Sequence, residues 1–243
     1  MRIELKRLST SVDLILRAFG LVPPPVVHNL AKSRALKMVF WHLAVDEVPG
    51  CYVEFGVASG NSIRSAEIAE RRCHSASLGI RRMHRTLHGF DTFSEFSSTN
   101  SDDVHPAWSG GKFTSSQQAV QRRFKKETSR IKLHALDLME ATDASGDPLI
   151  PVDHYISDEV AAICLFDMDL GEPTFRALEW IEPKLRSGSM LIFDEFLAFG
   201  GDPARGESGA LARFLARHPD VSLRQFGQYG DGGVAFQITR VEG

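Results

Sequence analysis

Four carboxylates, Asp167, Asp169, Asp194 and Glu195, are the side chains whose type and spacing best suit them for chemistry. They fall in ICLFDMDLGEPTFRALEWIEPKLRSGSMLIFDEF, residues 163–196, where two apolar runs each end in a pair of acids with one amphipathic segment between them. That pattern is a strand, helix, strand unit. The carboxyl ends of parallel strands open on one crevice, so the four acids are predicted to converge. Oxygen donors grouped this way suit Mg²⁺ or a similar hard cation better than zinc. Asp167 or Asp169 taken alone serves equally well as a helix cap or an ion-pair partner, but capping accounts poorly for four acids on two neighbouring strand ends. Side chains alternate along a strand, so Asp194 and Glu195 can reach one ion only if the strand ends there.

A second segment, Cys51-Tyr52-Val53-Glu54-Phe55-Gly56-Val57-Ala58-Ser59-Gly60-Asn61-Ser62, runs from an apolar strand through a small-residue loop into a helix. Small residues and a helix N-terminus let backbone N–H groups approach a ligand closely. The spacing is not the dinucleotide GxGxxG, and paired glycines in such turns are common for steric reasons alone. A further strand ends at Gly89-Phe90-Asp91-Thr92-Phe93, where an acid is placed to accept hydrogen bonds from the two hydroxyls of a ribose. A nucleoside-containing cofactor is therefore the favoured ligand. Glu54 can alternatively pair with a buried arginine, and Asp91 can cap a turn.

These groups need a scaffold. From Gly50 onward the chain alternates strand and helix signals, as a parallel sheet covered on both faces does. The periodicity predicts strands at 52–55, 86–91, 131–135, 161–166 and 189–194, with helices at 61–72, 115–128, 173–185 and 206–217. An antiparallel hairpin of 221–226 and 233–239 closes the sheet across the turn-rich 228–232. Pro173 suits the first turn of its helix, which sets Phe175, Leu178, Ile181 and Leu185 on one face. The expected fold class is α/β, a Rossmann-like doubly wound seven-stranded sheet, mostly parallel with a C-terminal antiparallel hairpin, plus N-terminal helices. Residues 1–49 form a helical extension and 50–243 a single domain. In the extension Leu5, Leu8, Val12, Ile15 and Phe19 make one apolar face, Pro23-Pro24-Pro25 end that helix, and a second runs from near Asn29 to about Val45.

Composition sets the bounds. At 243 residues, 43% apolar and 24% charged, the chain has enough apolar material for a large core. Its net charge of −3 offers no broad basic surface for nucleic acid. The basic start followed by an apolar stretch imitates a signal peptide, but Asp13 and Arg17 interrupt it and no small-residue cleavage site follows. No run is long enough to span a bilayer. Cys51, Cys73 and Cys164 lack CxxC or zinc spacing and read as buried thiols of a cytoplasmic, reducing compartment. The amphipathic N-terminus points to a homo-oligomer, a dimer first. The loop 94–112, with Asp102, Asp103, His105 and Trp108, is long and polar enough to form a lid or a plain surface loop.

In order and spacing, these segments resemble the class I S-adenosylmethionine-dependent methyltransferases, and most closely the macrocin O-methyltransferase-like (TylF) family. The family's V-E-x-G-V-x-x-G appears as Val53-Glu54-Phe55-Gly56-Val57-Ala58-Ser59-Gly60, its D-S-F as Asp91-Thr92-Phe93, and its D-x-D-L-Y-E-x-T as Asp167-Met168-Asp169-Leu170-Gly171-Glu172-Pro173-Thr174. Asp194-Glu195 stands for the terminal Asp-Asp. The resemblance implies S-adenosylmethionine- and Mg²⁺-dependent O-methylation of a sugar or other hydroxylated small molecule. By position it makes Asp167, Asp194 and Glu195 the metal ligands and Asp169 the general base. Glu54, Gly56, Ser59, Gly60 and Ser62 would line the cofactor, Asp91 would bind its ribose, and Asp137 would lie near the adenine. Three departures stand out: Glu195 reaches about 1.5 Å further than the family's Asp, Gly171 replaces a Tyr, and Ser94-Glu95-Phe96 replaces Gly-Leu-Pro.

Two other classes share parts of the pattern. Asp167-Met168-Asp169 also matches the DxD of metal-dependent glycosyltransferases and, less well, that of phosphatases, which carry it on the first strand. A non-catalytic Rossmann-like interaction protein is the third reading.

Overall fold

The computed structural model describes residues 20, 22–94, 115–124, 130–157 and 159–240. Seven strands form one sheet in the order β3-β2-β1-β4-β5-β7-β6. They are β1 (Cys51–Phe55), β2 (Leu87–Asp91), β3 (Ile131–Ala135), β4 (Ala161–Phe166), β5 (Met190–Phe193), β6 (Val221–Tyr229) and β7 (Gly233–Arg240). The first five run parallel, and β7 pairs antiparallel with both β5 and β6. Every residue of β1, β4 and β5 is buried, as expected for central strands covered on both faces, whereas the edge strand β3 alternates buried Ile131 and Leu133 with exposed Lys132.

Helices cover both faces. On one lie α1 (Pro24–Val45), α2 (Asn61–Arg72) and α3 (Gln117–Arg123), which join Leu36, Phe40, Ile63 and Val120 to Tyr52, Leu165 and Ile192 of the sheet. On the other lie the single turn α4 (Leu138–Ala141), α5 (Gly171–Ile181) and α6 (Gly206–Arg217), packed on Phe55, Phe166 and Phe193. Those three rings stack across neighbouring strands, with centroids 5.3 Å apart for Phe55–Phe166 and 4.9 Å for Phe166–Phe193. Helix α1 therefore shares a core with the sheet.

Several boundaries differ from expectation for identifiable reasons. Helix α1 begins at Pro24, because proline lacks only an N–H that a first turn leaves unpaired anyway. Helix α5 begins at Gly171 and ends at Ile181, and the proline-containing Glu182–Lys184 tightens into a 3-10 turn. Strand β6 reaches Tyr229 through a register shift between Gln225 and Gly227, which shortens the hairpin turn to Gly230, Asp231 and Gly232. Strand β5 stops at Phe193, so Asp194 and Glu195 lie beyond it. The helix expected over 5–19, the loop 95–112 and the extension of α3 through 125–128 lie outside the described residues.

Candidate active site

The strand order places β1 beside β4, with β2 and β3 on one side and β5 on the other. The order reverses at this seam, and in doubly wound sheets ligands bind in the crevice over the carboxyl ends at such a point. Ladder hydrogen bonds continue past the strands there: the N–H of Gly56 donates to the Phe90 carbonyl (2.9 Å), that of Asp167 to Phe55 (2.9 Å) and that of Asp194 to Phe166 (3.1 Å). Ala58, Phe93 and Asp169, just beyond β1, β2 and β4, all take positive φ (43°, 51° and 62°). Such conformations in non-glycine residues persist where the surroundings enforce them, and they gather at functional edges.

Asp167, Asp169 and Glu195 each offer an oxygen, and these lie within 4.8 Å of one another; His28, Asp194 and Glu195 form a second such group. Asp194 is buried and heavily bonded. Its Oδ1 accepts from Tyr229 Oη (2.8 Å) and lies 3.0 Å from His28 Nε2, while its Oδ2 contacts the Lys32 ammonium. Lys32 also donates to Asp167 Oδ2 at 2.8 Å. His28 touches the Asp231 carboxylate with its other ring nitrogen. From β5's far side, Glu207 of α6 accepts the Glu195 N–H at 2.9 Å.

The electrostatics follow from this crowding. Burial tends to raise Asp194, but the His28 hydrogen bond and the Lys32 charge outweigh it and bring its pKa down to about 2. Burial, reinforced by Asp194, pushes Asp167 up to about 8 and Asp169 up to about 6, and pushes Glu195 up to about 12. Glu207 is likewise raised, first by burial and then by Asp194. Burial opposes the Lys32 ammonium, yet Asp167 and Asp194 together raise its pKa; His28 is raised by its bond to Asp194. Glu195 Oε2 and Glu207 Oε1 are buried with no hydrogen-bond partner among the described residues. Unsatisfied carboxylate oxygens among acids that outnumber the cations pairing with them are a donor set that fits a hard divalent cation.

The cofactor side is built from β1, β2 and β3. Glu54 is fully buried: its Oε2 accepts from Tyr52 Oη and its Oε1 from Ser62 Oγ, both at 2.6 Å, so it ties β1 to the start of α2. Burial raises it to about 7 against both hydrogen bonds. Gly56 has φ +88°, and Gly60, φ +79°, caps α2 where a β-carbon would meet Val120 at 2.8 Å and Phe124 at 3.1 Å. Arg123 reaches the Ser59 carbonyl and donates to Asn61 Oδ1 at 3.0 Å. Asp91 turns inward: Oδ2 accepts the Val57 and Ala58 N–H groups at 2.8 Å each, and Oδ1 that of Phe93 at 2.7 Å. Two loop N–H groups are thus taken by Asp91 itself. Asp137, at the end of β3, caps α4 by accepting from the Met139 N–H at 2.8 Å. The edge therefore carries acids on both sides of the seam.

His28, Lys32, Glu207 and Tyr229 were not among the sequence candidates. Two carried a readable signal: Lys32 precedes Leu36, Phe40 and Leu43 at helical spacing, and Glu207 precedes Ala210, Leu211 and Phe214. Each is a charge on an apolar stripe. His28 and Tyr229 carried none.

No protein-family model matches the chain, and no curated protein matches it in sequence. Solved structures do. The calicheamicin methyltransferase CalS11 is 25% identical with a TM-score of 0.60, the match covering 86% of this chain and 79% of that one. A ligand-free structure of CalS11, described as a TDP-rhamnose 3'-O-methyltransferase, gives 24% and 0.51 over 86% and 79%. The O-methyltransferase NovP gives 20% and 0.59 over 86% and 80%. An O-methyltransferase from Bacillus cereus in complex with SAH gives 13% and 0.50 over 95% and 90%. The fold, and with it the class of enzyme, is that of the methyltransferases.

Proposed function

We propose that this protein transfers the methyl group of S-adenosylmethionine to a hydroxyl of a sugar or other small hydroxylated acceptor, with a divalent cation, Mg²⁺, in its acid pocket. The observation that carries this reading is the two-part edge: a glycine loop with Asp91 and Asp137 on one side of the β1–β4 seam, and Asp167, Asp169, Asp194 and Glu195 on the other. The fold shared with methyltransferases supports the cofactor, and the sugar-nucleotide substrate named for CalS11 supports a sugar acceptor.

In this scheme Glu54 and Ser62 hold the loop containing Gly56, Ser59 and Gly60 against the cofactor, and Asp91 exchanges loop N–H partners for ribose hydroxyls. A bound divalent cation would lower the pKa of the acceptor hydroxyl. Asp169, which burial raises less than it raises Asp167 and Glu195, takes the hydroxyl proton. The remaining residues position the two reactants.

The apolar side chains exposed along α1, Val26, Leu30, Met38 and Val45, are the candidate contact of a homo-oligomer. The buried free cysteines suit a reducing compartment such as the cytoplasm. No described helix is long and apolar enough to cross a membrane. Isothermal calorimetry with S-adenosylmethionine tests the reading: saturable binding is expected, and no heat at high micromolar cofactor would remove it.

A further inference from the structure

We infer that Lys32 is a resident cation of the acid pocket, which withdraws Asp194 from the metal and leaves the divalent ion to Asp167, Asp169 and Glu195. The inference rests on the metal-assisted reading above and changes the division of labour within it.

The acceptor capacity of Asp194 is the first argument. Oδ1 already serves Tyr229 Oη at 2.8 Å and His28 Nε2 at 3.0 Å, and Oδ2 is in contact with the Lys32 ammonium. Both oxygens of Asp194 are thus engaged, whereas Lys32 contacts Asp167 through Oδ2 alone and leaves its Oδ1 to an ion. The second argument is the anchoring of Lys32. It is 6% exposed, sits on the buried stripe of α1 above Leu36 and Phe40, and also bonds Asp167 Oδ2 at 2.8 Å. The third is what remains open: Asp167, Asp169 and Glu195 bring one oxygen each within 4.8 Å, and Glu195 Oε2 is buried without a hydrogen-bond partner among the described residues. The longer Glu195 side chain supplies the reach that this offset position requires. Asp169 can then give one oxygen to the ion and keep the other for the acceptor proton, while Lys32 acts through Asp194 as a positioning residue.

Manganese binding, read by electron paramagnetic resonance on the full chain with S-adenosylhomocysteine present, tests this independently of turnover. Asp194→Asn should bind Mn²⁺ within about threefold of wild type, whereas Asp169→Asn and Glu195→Gln should each weaken it by roughly tenfold or more. Lys32→Met, which removes a neighbouring positive charge and frees Asp194 as an extra ligand, should tighten Mn²⁺ by about tenfold or more; a merely structural lysine would not do so. Loss of Mn²⁺ in Asp194→Asn, unchanged binding in Asp169→Asn, or unchanged or weaker binding in Lys32→Met would each overturn the assignment. Since Asp194→Asn empties a buried network and can impair folding, the Asp169 and Lys32 variants keep the test decisive. Wild-type protein that binds no Mn²⁺ yet methylates an acceptor would refute the inference and leave the methyltransferase reading intact.

Discussion

A β-carbon on Gly56 would lie 1.9 Å from the carbonyl oxygen of Asp167. The end of β1 and the start of the acid pocket are thus held closer than any side chain permits, at a φ of +88° that L residues rarely adopt. Gly56→Ala should destabilise the protein by about 3 kcal/mol or more, since it adds a backbone clash to the conformational cost. Urea denaturation checks this; an unchanged midpoint would mean that the two strand ends can part freely.

Asp169→Asn should leave the affinity for S-adenosylmethionine unchanged and lower methyl transfer by roughly 10²–10⁴-fold, the range typical of removing a general base. Calorimetry and a single-turnover assay on the same preparation separate the two effects. Full activity would take Asp169 out of proton transfer.

Glu54 gives a stability prediction with a definite sign. Its folded-state pKa is raised from 4.5 to about 7 by complete burial, so between those values the folded protein binds more protons than the unfolded chain. Stability therefore falls as pH rises through this window, by about 3 kcal/mol in total for this group. Glu54→Gln cannot ionise. Thermal melts of the two proteins from pH 4.5 to 8 should converge at the acid end and diverge, with the variant relatively favoured, as pH rises.

Chelation should separate catalysis from cofactor capture. With EDTA in excess, methyl transfer to an identified acceptor should fall to background while S-adenosylhomocysteine still binds, because the cofactor side of the seam uses no residue of the acid pocket. Undiminished turnover in chelator would dispose of the metal.

The strand-borne half of the site was legible in the sequence, because an apolar run that stops at an acid announces both a buried strand and what stands at its end. Asp167, Asp169, Asp194, Glu195 and Asp91 lie at or just past the carboxyl ends of β4, β5 and β2, and Glu54 lies inside β1. Their partners were less legible, since a helical residue shows its destination only through the company it keeps on one stripe. Lys32 and Glu207 each interrupt such a stripe; His28, one turn before Lys32, and Tyr229, at the end of an edge-strand hairpin, reach Asp194 through tertiary geometry alone. The start of α1 went astray because proline can open a helix as well as end one, and the end of α5 because Pro183 tightens 182–184 into a 3-10 turn short of the expected Leu185.

Asp231 and His28 touch across 203 positions of chain, and His28 with Tyr229 and Lys32 supplies the partners of Asp194. During synthesis the carboxylates of β4 and β5 emerge long before the hairpin that completes their surroundings. Until it arrives, the centre of the sheet holds an acid cluster short of a partner, and loop closure over so many residues is slow. The hairpin thus completes the setting of Asp194: until Tyr229 arrives, a nascent chain that has already built most of its sheet holds that buried carboxylate without its hydroxyl partner.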